Sequence, residues 1–283
     1  MRWCERSSGD WDEVARSPFS VLRHADPRRA TGNGQRATEM IPIRHTLPRR
    51  TAPIVNRALV IVNILTFAVL LFLGQRTEEL INIFGYIPAR LINPAAFGYD
   101  RFEVAATLVT SLFLHGGLVH LFGNMIYLWV FGGAVEDALG HLRYFFFFIL
   151  CGVVGSLAHT MLFPRSTVPS IGASGSIAGV LGAFLVLRPR ARIITLFPLV
   201  VYWAMAETRA LIFLPIWFAM QFFNGFLALA AAARTQEAVG IAWWAHVGGF
   251  LFGALVGVAA RVLARQRPAG TPAPTRGSTR DTT

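Results

Sequence analysis

The chain has 283 residues, of which 54% are hydrophobic and 14% charged, against roughly 25% charged in an average soluble domain. This composition excludes an ordinary soluble protein and indicates a polytopic membrane protein. The formal net charge of +11 comes entirely from arginine, since the sequence contains no lysine. The arginines cluster beside apolar segments, so we interpret them as topology signals and expect no nucleic acid partner. With only Cys4 and Cys151 present, we predict no disulfide framework, metal or cofactor.

Both ends of the chain are polar. Residues 1–39 carry seven Arg against six Asp plus Glu, which is too acidic for a transit peptide, and they lack the apolar core of a signal peptide. We predict that they are disordered, with Met40 as a possible true start. Residues 265–283 are rich in Pro, Gly and Thr and are also predicted to be disordered. The membrane domain is therefore placed at residues 40–264.

Six stretches between these ends approach the roughly 20 apolar residues that cross a bilayer as a helix. In chain order they are 54–73, 118–139, 142–163, 171–187, 210–233 and 243–263, of which the fourth is short. A further apolar piece, residues 193–203, is interrupted by Pro198, and we expect a loop or interfacial segment there. The predicted fold class is an all-α polytopic membrane protein with a six-transmembrane-helix bundle.

The distribution of arginines predicts the orientation of these segments. With the N-terminus inside, the inner segments hold fourteen of the arginines that follow residue 39, and the outer segments hold five. Arginine is enriched in cytoplasmic loops, so both termini are predicted to be cytoplasmic. The expected location is a bacterial cytoplasmic membrane.

Three of the six segments carry polar residues near their N-terminal ends, at one depth in the membrane. On the predicted topology the second, fourth and sixth segments enter from the outer face. Their first turns carry four polar side chains: His120, Asn124, Ser174 and His246. Polar groups inside a membrane are costly unless they are paired, so their coincidence in the outer leaflet predicts a site.

Small residues indicate which segments touch. The sixth segment has one face that combines the histidine with small residues: His246, Gly249, Gly253 and Gly257. The fourth offers a complementary face: Ser174, Ala178 and Gly182. Contact between these faces would bring the serine hydroxyl within reach of the histidine ring. We assign four glycines to close helix packing near the site: Gly172, Gly175, Gly249 and Gly253.

The residue types then predict acyl-transfer chemistry. A serine hydroxyl becomes a good nucleophile when a neighbouring base takes its proton, and histidine suits that role near neutral pH. No carboxylate is expected at that depth, so Ser174 and His246 are predicted to form a dyad. Such a centre also needs donors for the developing oxyanion. His120 and Asn124, four apart on one helical face, can supply them, together with the Ser174 backbone N–H at a helix start.

Four groups of residues form motifs along the chain, at 115–120 with 123–125, 131–137, 172–175 and 245–249 with Gly253. In this order they resemble the motifs of the rhomboid intramembrane serine proteases, and the resemblance covers roughly residues 41–264. It implies Ser174 as nucleophile, His246 as base, and His120 with Asn124 as oxyanion donors. It also implies a six-helix fold with a water-filled cavity leading to the dyad. The expected partners are the lipid bilayer and single-pass membrane proteins, cut near the outer end of their helix.

The sequence departs from this family pattern in two places. Many relatives carry a Trp-Arg pair in the first outer loop, where this sequence has Ala106 and Thr107. Some carry a tyrosine one turn after the nucleophile, stacked on the histidine, where this sequence has Ala178. We therefore expect helix packing, through Trp243 or Trp244, to position the base.

Two other functions are compatible with a polar cluster in a membrane. A transporter or channel could use the same four residues as a polar pathway, although they stop in the outer leaflet and do not continue inward. A catalytically inactive, client-binding relative is the second alternative. The retention of both Ser174 and His246 argues against it.

Overall fold

A computed structural model describes residues 41–47, 51–198, 203–235 and 241–266. The predicted disorder of residues 1–39 and the hypothesis about Met40 lie outside the described residues. So does most of the predicted C-terminal tail, although the last helix continues to Gln266, two residues beyond the predicted boundary.

The described chain is mostly helical, with a small sheet. In chain order the helices are α1 (Ile54–Leu73), α2 (Thr77–Phe84), α3 (Pro88–Ile92), α4 (Arg101–Thr110), α5 (Leu118–Leu139), α6 (His141–Leu162), α7 (Ser174–Leu187), α8 (Ala210–Thr235) and α9 (Trp243–Gln266). The strands are β1 (Ile41–His45), β2 (Arg192–Pro198) and β3 (Trp203–Arg209). The six predicted apolar segments correspond to α1, α5, α6, α7, α8 and α9, with ends that differ by at most three residues.

Five helices of the described chain are long and apolar enough to cross a membrane, namely α1, α5, α6, α8 and α9. Helix α7 has 14 residues, which gives a length of about 21 Å at 1.5 Å per residue, short of the roughly 30 Å hydrocarbon core. Large apolar side chains cover the outside, including Phe72 at 91% exposure and Met161 at 81%. An apolar exterior of this extent is suited to lipid contact. The chain is a multi-pass integral membrane protein.

The short helix α7 lies at the centre of the molecule. Every residue from 175 to 184 is buried. A helix that is apolar on all sides requires neighbours on all sides, and α7 packs against α9, α6 and α5. Ser174, the first residue of α7, is partly exposed.

The prediction of an all-α fold was wrong for residues 41–45, 192–198 and 203–209. Strands β1, β2 and β3 form an antiparallel sheet in that order, so residues 193–203, expected to be a loop or interfacial segment, include most of β2 and the first residue of β3. Ile193 and Thr195 are fully buried whereas Arg192 is exposed, and this alternation together with β-branched residues favours a strand. Pro198 is the last residue of β2, where proline is tolerated.

Arg90 anchors the long connection between α1 and α5. Its guanidinium donates to the Asn82 carbonyl oxygen at 2.5 Å and to the Asn82 side-chain oxygen, and it lies 4.4 Å from the centre of the Tyr99 ring. Arg90 is only 8% exposed. Ala106 and Thr107 cannot supply a cationic anchor, and Arg90 provides one from a different part of the same connection.

Glu136 ties the end of α5 to the start of α1. Its fully buried carboxylate accepts hydrogen bonds from the Val55 and Asn56 backbone N–H groups at 3.0 and 2.8 Å, and it lies 2.5 Å from His141 Nδ1. The first N–H groups of a helix lack intrahelical partners and favour a negative charge. Glu136 therefore caps α1 from a neighbouring helix, at the opposite end of α5 from His120.

Candidate functional site

Ser174 and His246 are in direct contact. The Ser174 Oγ atom lies 2.8 Å from His246 Nε2. Ser174 is the first residue of α7, and His246 lies in the first turn of α9. Both side chains are partly accessible, so the pair lies at the rim of the helix bundle core.

Glycines allow α7 and α9 to approach at backbone distance. A Cβ atom on Gly249 would overlap the Gly175 carbonyl oxygen, and one on Gly253 would overlap the Gly179 carbonyl oxygen. These contacts rule out any side chain at either position without movement of the backbone. Because the two helices are this close, their first turns are adjacent and Ser174 lies next to His246.

The contact with α9 covers more of α7 than the predicted face. The prediction paired Ser174, Ala178 and Gly182 with α9, and two of these contact it: Ser174 is bonded to His246, and a Cβ on Gly182 would overlap the α9 backbone. Gly175 and Gly179 also belong to the contact, since their carbonyl oxygens meet Gly249 and Gly253. The helix is rotated so that glycines, which have the least bulk, occupy the tightest points, and Ser174 is left at the edge with its hydroxyl toward His246.

His120 and Asn124 reach the backbone just before Ser174. A Cβ on Gly172 would lie 2.7 Å from His120 Nε2 and 3.4 Å from Asn124 Nδ2. Gly172 has a φ of +114°, a conformation that favours glycine, and its N–H donates to the Ser111 carbonyl oxygen at 2.9 Å. Two side-chain nitrogen atoms therefore lie beside the turn that presents Ser174.

His115 supports Asn124 from the preceding loop. The Asn124 amide donates to His115 Nε2 at 3.0 Å, and the His115 and His120 ring centres lie 5.1 Å apart. His115 is 1% exposed, and burial, with a further contribution from His120, lowers the pKa of His115 to about 4. A neutral imidazole is the form that can accept this bond.

Aromatic rings flank His246 on two sides. The Trp243 ring is 5.9 Å from the imidazole in an edge-to-face arrangement, and the Trp217 ring is 6.3 Å away and tilted by 33°. Trp244 instead donates to the Gly225 carbonyl oxygen at 3.1 Å. Of the two tryptophans proposed from the sequence, Trp243 therefore contacts the imidazole and Trp244 holds α9 to α8.

Gln221 is a site residue that the sequence analysis missed. Its Oε1 atom lies 2.8 Å from His246 Nδ1, on the ring edge opposite Ser174. The available signal was a polar amide inside the apolar stretch 210–233, since polar residues within membrane segments often mark function.

Cys151 packs against α7. A Cβ on Gly179 would overlap its Sγ atom, and the side chain is fully buried. Within residues 41–47, 51–198, 203–235 and 241–266, no group of three or more His, Cys, Asp or Glu side chains is arranged to hold a metal ion.

Comparison with known proteins gives consistent matches. The model of the Rhomboid domain family matches residues 103–262. RHOMBOID-like protein 5 of Arabidopsis thaliana is 31% identical over 152 residues, covering 53% of this chain and 42% of that protein. Rhomboid protease GluP of Bacillus subtilis is 44% identical over 78 residues, covering 28% of this chain and 15% of that protein. Rhomboid protein 1, mitochondrial, of Saccharomyces cerevisiae is 36% identical over 93 residues, covering 31% and 27%. The chain thus spans less than half the length of these curated relatives.

Proposed function

Because this chain belongs to the rhomboid family, we propose that it is an intramembrane serine endopeptidase that uses Ser174 and His246 as a catalytic dyad. The observation that carries the proposal is the 2.8 Å contact between Ser174 Oγ and His246 Nε2. A nucleophile and a base within hydrogen-bond distance are the minimum that acyl transfer requires. Membership of a family that includes a named protease, Rhomboid protease GluP, adds support.

The proposed reaction has two halves. His246 Nε2 takes the proton of Ser174 Oγ as the oxygen attacks the carbonyl carbon of the scissile peptide bond. The tetrahedral intermediate collapses, the C–N bond breaks, and His246 returns the proton to the leaving amine. Water, activated in the same way by His246, then hydrolyses the acyl-enzyme and restores Ser174.

His120 and Asn124 are the proposed oxyanion donors. Both side chains lie beside Gly172, two residues before the nucleophile. The backbone N–H of Ser174, at the start of α7, is the third proposed donor. Donors fixed before the reaction stabilise charge that develops only in the transition state, and this is where they lower the barrier.

The proposed topology has six spans, namely the five long helices and α7, which is the fourth in chain order. Its 14 residues are too few to cross a full bilayer, so the first turn of α7 would lie below the membrane surface when its C-terminal end is at the opposite interface. The arginine bias supports cytoplasmic termini, with the dyad in the outer leaflet. A substrate for such a site is a single-pass membrane protein, cut near the outer end of its helix.

Labelling by a fluorophosphonate probe tests the proposal, because the probe reacts only with an activated serine. We expect the full chain in membranes to be labelled and Ser174→Ala and His246→Ala to remain unlabelled. Each replacement should also abolish cleavage of a transmembrane substrate, since the two groups act as one unit. Ser176→Ala is the matched control: Ser176 lies on the same helix, is fully buried, and should leave labelling intact. Labelling of Ser174→Ala equal to that of the wild type would refute the dyad.

A further inference from the structure

Each ring nitrogen of His246 is bonded to a different helix. Nε2 lies 2.8 Å from Ser174 Oγ on α7, and Nδ1 lies 2.8 Å from Gln221 Oε1 on α8. An amide oxygen can only accept a hydrogen bond, so Nδ1 carries the hydrogen in this arrangement. Nε2 is then left with its lone pair directed at the serine hydroxyl. The bond to Gln221 therefore selects the tautomer that a general base requires.

We propose that Gln221 is a positioning residue for the protease reaction, holding His246 in the tautomer and ring orientation that accept the Ser174 proton. This inference rests on the proposed function, because tautomer selection affects turnover only if His246 acts as a base. Gln221 acts through His246 and is assigned no contact with the substrate.

The two tryptophan rings beside His246, and Ala178 on α7, cannot make this selection. The rings of Trp217 and Trp243 restrict the plane of the imidazole, but an aromatic ring does not offer Nδ1 a strong acceptor. Ala178, one turn after the nucleophile, has only a methyl group and is fully buried. Trp217 and Gln221 are four residues apart and so share one face of α8. That face supplies both a ring contact and the tautomer-selecting bond.

An amide suits this place better than a carboxylate. Gln221 lies within a membrane-spanning helix and is half-buried, where an ionised side chain is expensive. A neutral acceptor orients the imidazole without that cost. It also stabilises the imidazolium less than a carboxylate would, and this difference makes the role of Gln221 measurable.

The first test compares two replacements of Gln221 in proteoliposomes with a transmembrane substrate. Gln221→Met keeps the length of the side chain but removes the acceptor, and we expect kcat to fall on the order of tenfold, the effect of losing one hydrogen bond, with KM little changed. Gln221→Glu keeps an acceptor and should retain most of the activity. Its acidic limb in the pH–rate profile should move to higher pH, because a carboxylate favours the protonated imidazole. Asn224→Leu, which removes an amide from the next turn of α8, is the control and should behave as the wild type.

The second test observes the imidazole without any need for turnover. Protein labelled with ¹⁵N-histidine, with the His246 signals assigned by comparison with His246→Ala, should show His246 protonated at Nδ1. In Gln221→Met we expect a mixture of the two neutral tautomers. This measurement separates the two hypotheses: a wild type that neither cleaves nor reacts with the probe refutes the proposed function, whereas the NMR result still tests the selection by Gln221.

Two results would overturn the inference. One is a Gln221→Met variant with the kcat and pH profile of the wild type. The other is an unchanged His246 tautomer in that variant, which would show that something else holds the ring.

Discussion

At the scale of single residues, Asn124 uses one side-chain N–H for a structural bond and has a second for its proposed role as an oxyanion donor. A side-chain amide has two N–H donors. One donates to His115 Nε2 at 3.0 Å, and this fixes the amide plane. The other remains for a ligand beside Gly172, where the nitrogen lies 3.4 Å from the position of a Cβ atom. A donor held by its own neighbour loses little freedom when it binds a developing charge.

Replacing Asn124 with alanine should lower kcat on the order of a hundredfold, the effect of losing one oxyanion donor. KM should change little, because the bond strengthens only in the transition state. The combination with His120→Ala should be slower than either single variant. Steady-state kinetics with a transmembrane substrate measure both parameters. A change in KM alone, with kcat unaltered, would make Asn124 a binding or packing residue and leave the dyad untouched.

The buried His115 should make stability depend on pH. Its pKa is about 4 in the folded protein, against 6.5 for the free side chain, so the unfolded chain binds a proton between these values and the folded chain does not. Stability should therefore fall as the pH drops from about 6.5 towards about 4. His115→Gln keeps an acceptor for Asn124 but cannot titrate. Thermal unfolding in detergent across this range should show a smaller pH dependence for the variant, and equal slopes would contradict this.

At the scale of elements, the contact between α7 and α9 decides whether the site exists. In a membrane, lipid tails are as apolar as the helix surfaces, so close packing of small residues drives helix association. Gly249 and Gly253 meet the carbonyl oxygens of Gly175 and Gly179 directly. Because Ser174 and His246 begin these same helices, a displacement of the interface also separates the dyad.

Gly253→Ala should destabilise the protein and reduce activity together. The added Cβ would overlap the Gly179 carbonyl oxygen, a backbone atom that cannot rotate away, and overpacking of this kind costs about 1–3 kcal/mol. Gly123→Ala is the matched control, because a Cβ there meets nothing within 4 Å. That substitution should be neutral or stabilising, since alanine is the better helix former. Thermal unfolding and probe labelling of both variants test this. Equal effects of the two substitutions would contradict the role of Gly253 in the contact between α7 and α9.

At the scale of the whole molecule, the site and the sheet lie at opposite ends of α7. Ser174 begins the helix, and β2 follows its C-terminal end after a short turn. The end with β1 and β2 also carries many of the arginines, including Arg44, Arg190 and Arg192. The positive-inside rule favours the cytoplasm for this end and therefore the outer leaflet for the dyad.

Cysteine accessibility tests this orientation. Thr167, between α6 and α7, and Arg190, after α7, are both exposed. In a Cys4→Ser background, with Cys151 buried, an impermeant thiol reagent added to intact cells should modify Thr167→Cys. Arg190→Cys should be protected until the cells are opened. The reverse pattern would invert the proposed topology.

The sequence by itself determined the six apolar helices and the identity of the contacting pair. The length of each apolar stretch and the polar residues at its ends can be read directly from the sequence. The predicted segments therefore agree to within three residues with the observed helices α1, α5, α6, α7, α8 and α9. Ser174 and His246, 72 residues apart, are in contact as the sequence predicts. Each lies in the first turn of its helix, and a residue there has the same depth in the membrane whatever the rotation of the helix about its axis.

The tertiary structure alone decided what depends on rotation and on distant pairing. Gln221 faces His246 only because α8 is turned to present that face, and α7 is turned so that Gly175 and Gly179 meet Gly249 and Gly253 of α9. Small differences in packing set such rotations, and the apolar pattern of an all-round hydrophobic helix does not encode them. The sheet joins residues 41–45 to 192–198. Backbone hydrogen bonds pair these strands and depend little on side-chain type, so the sequence alone did not predict either strand.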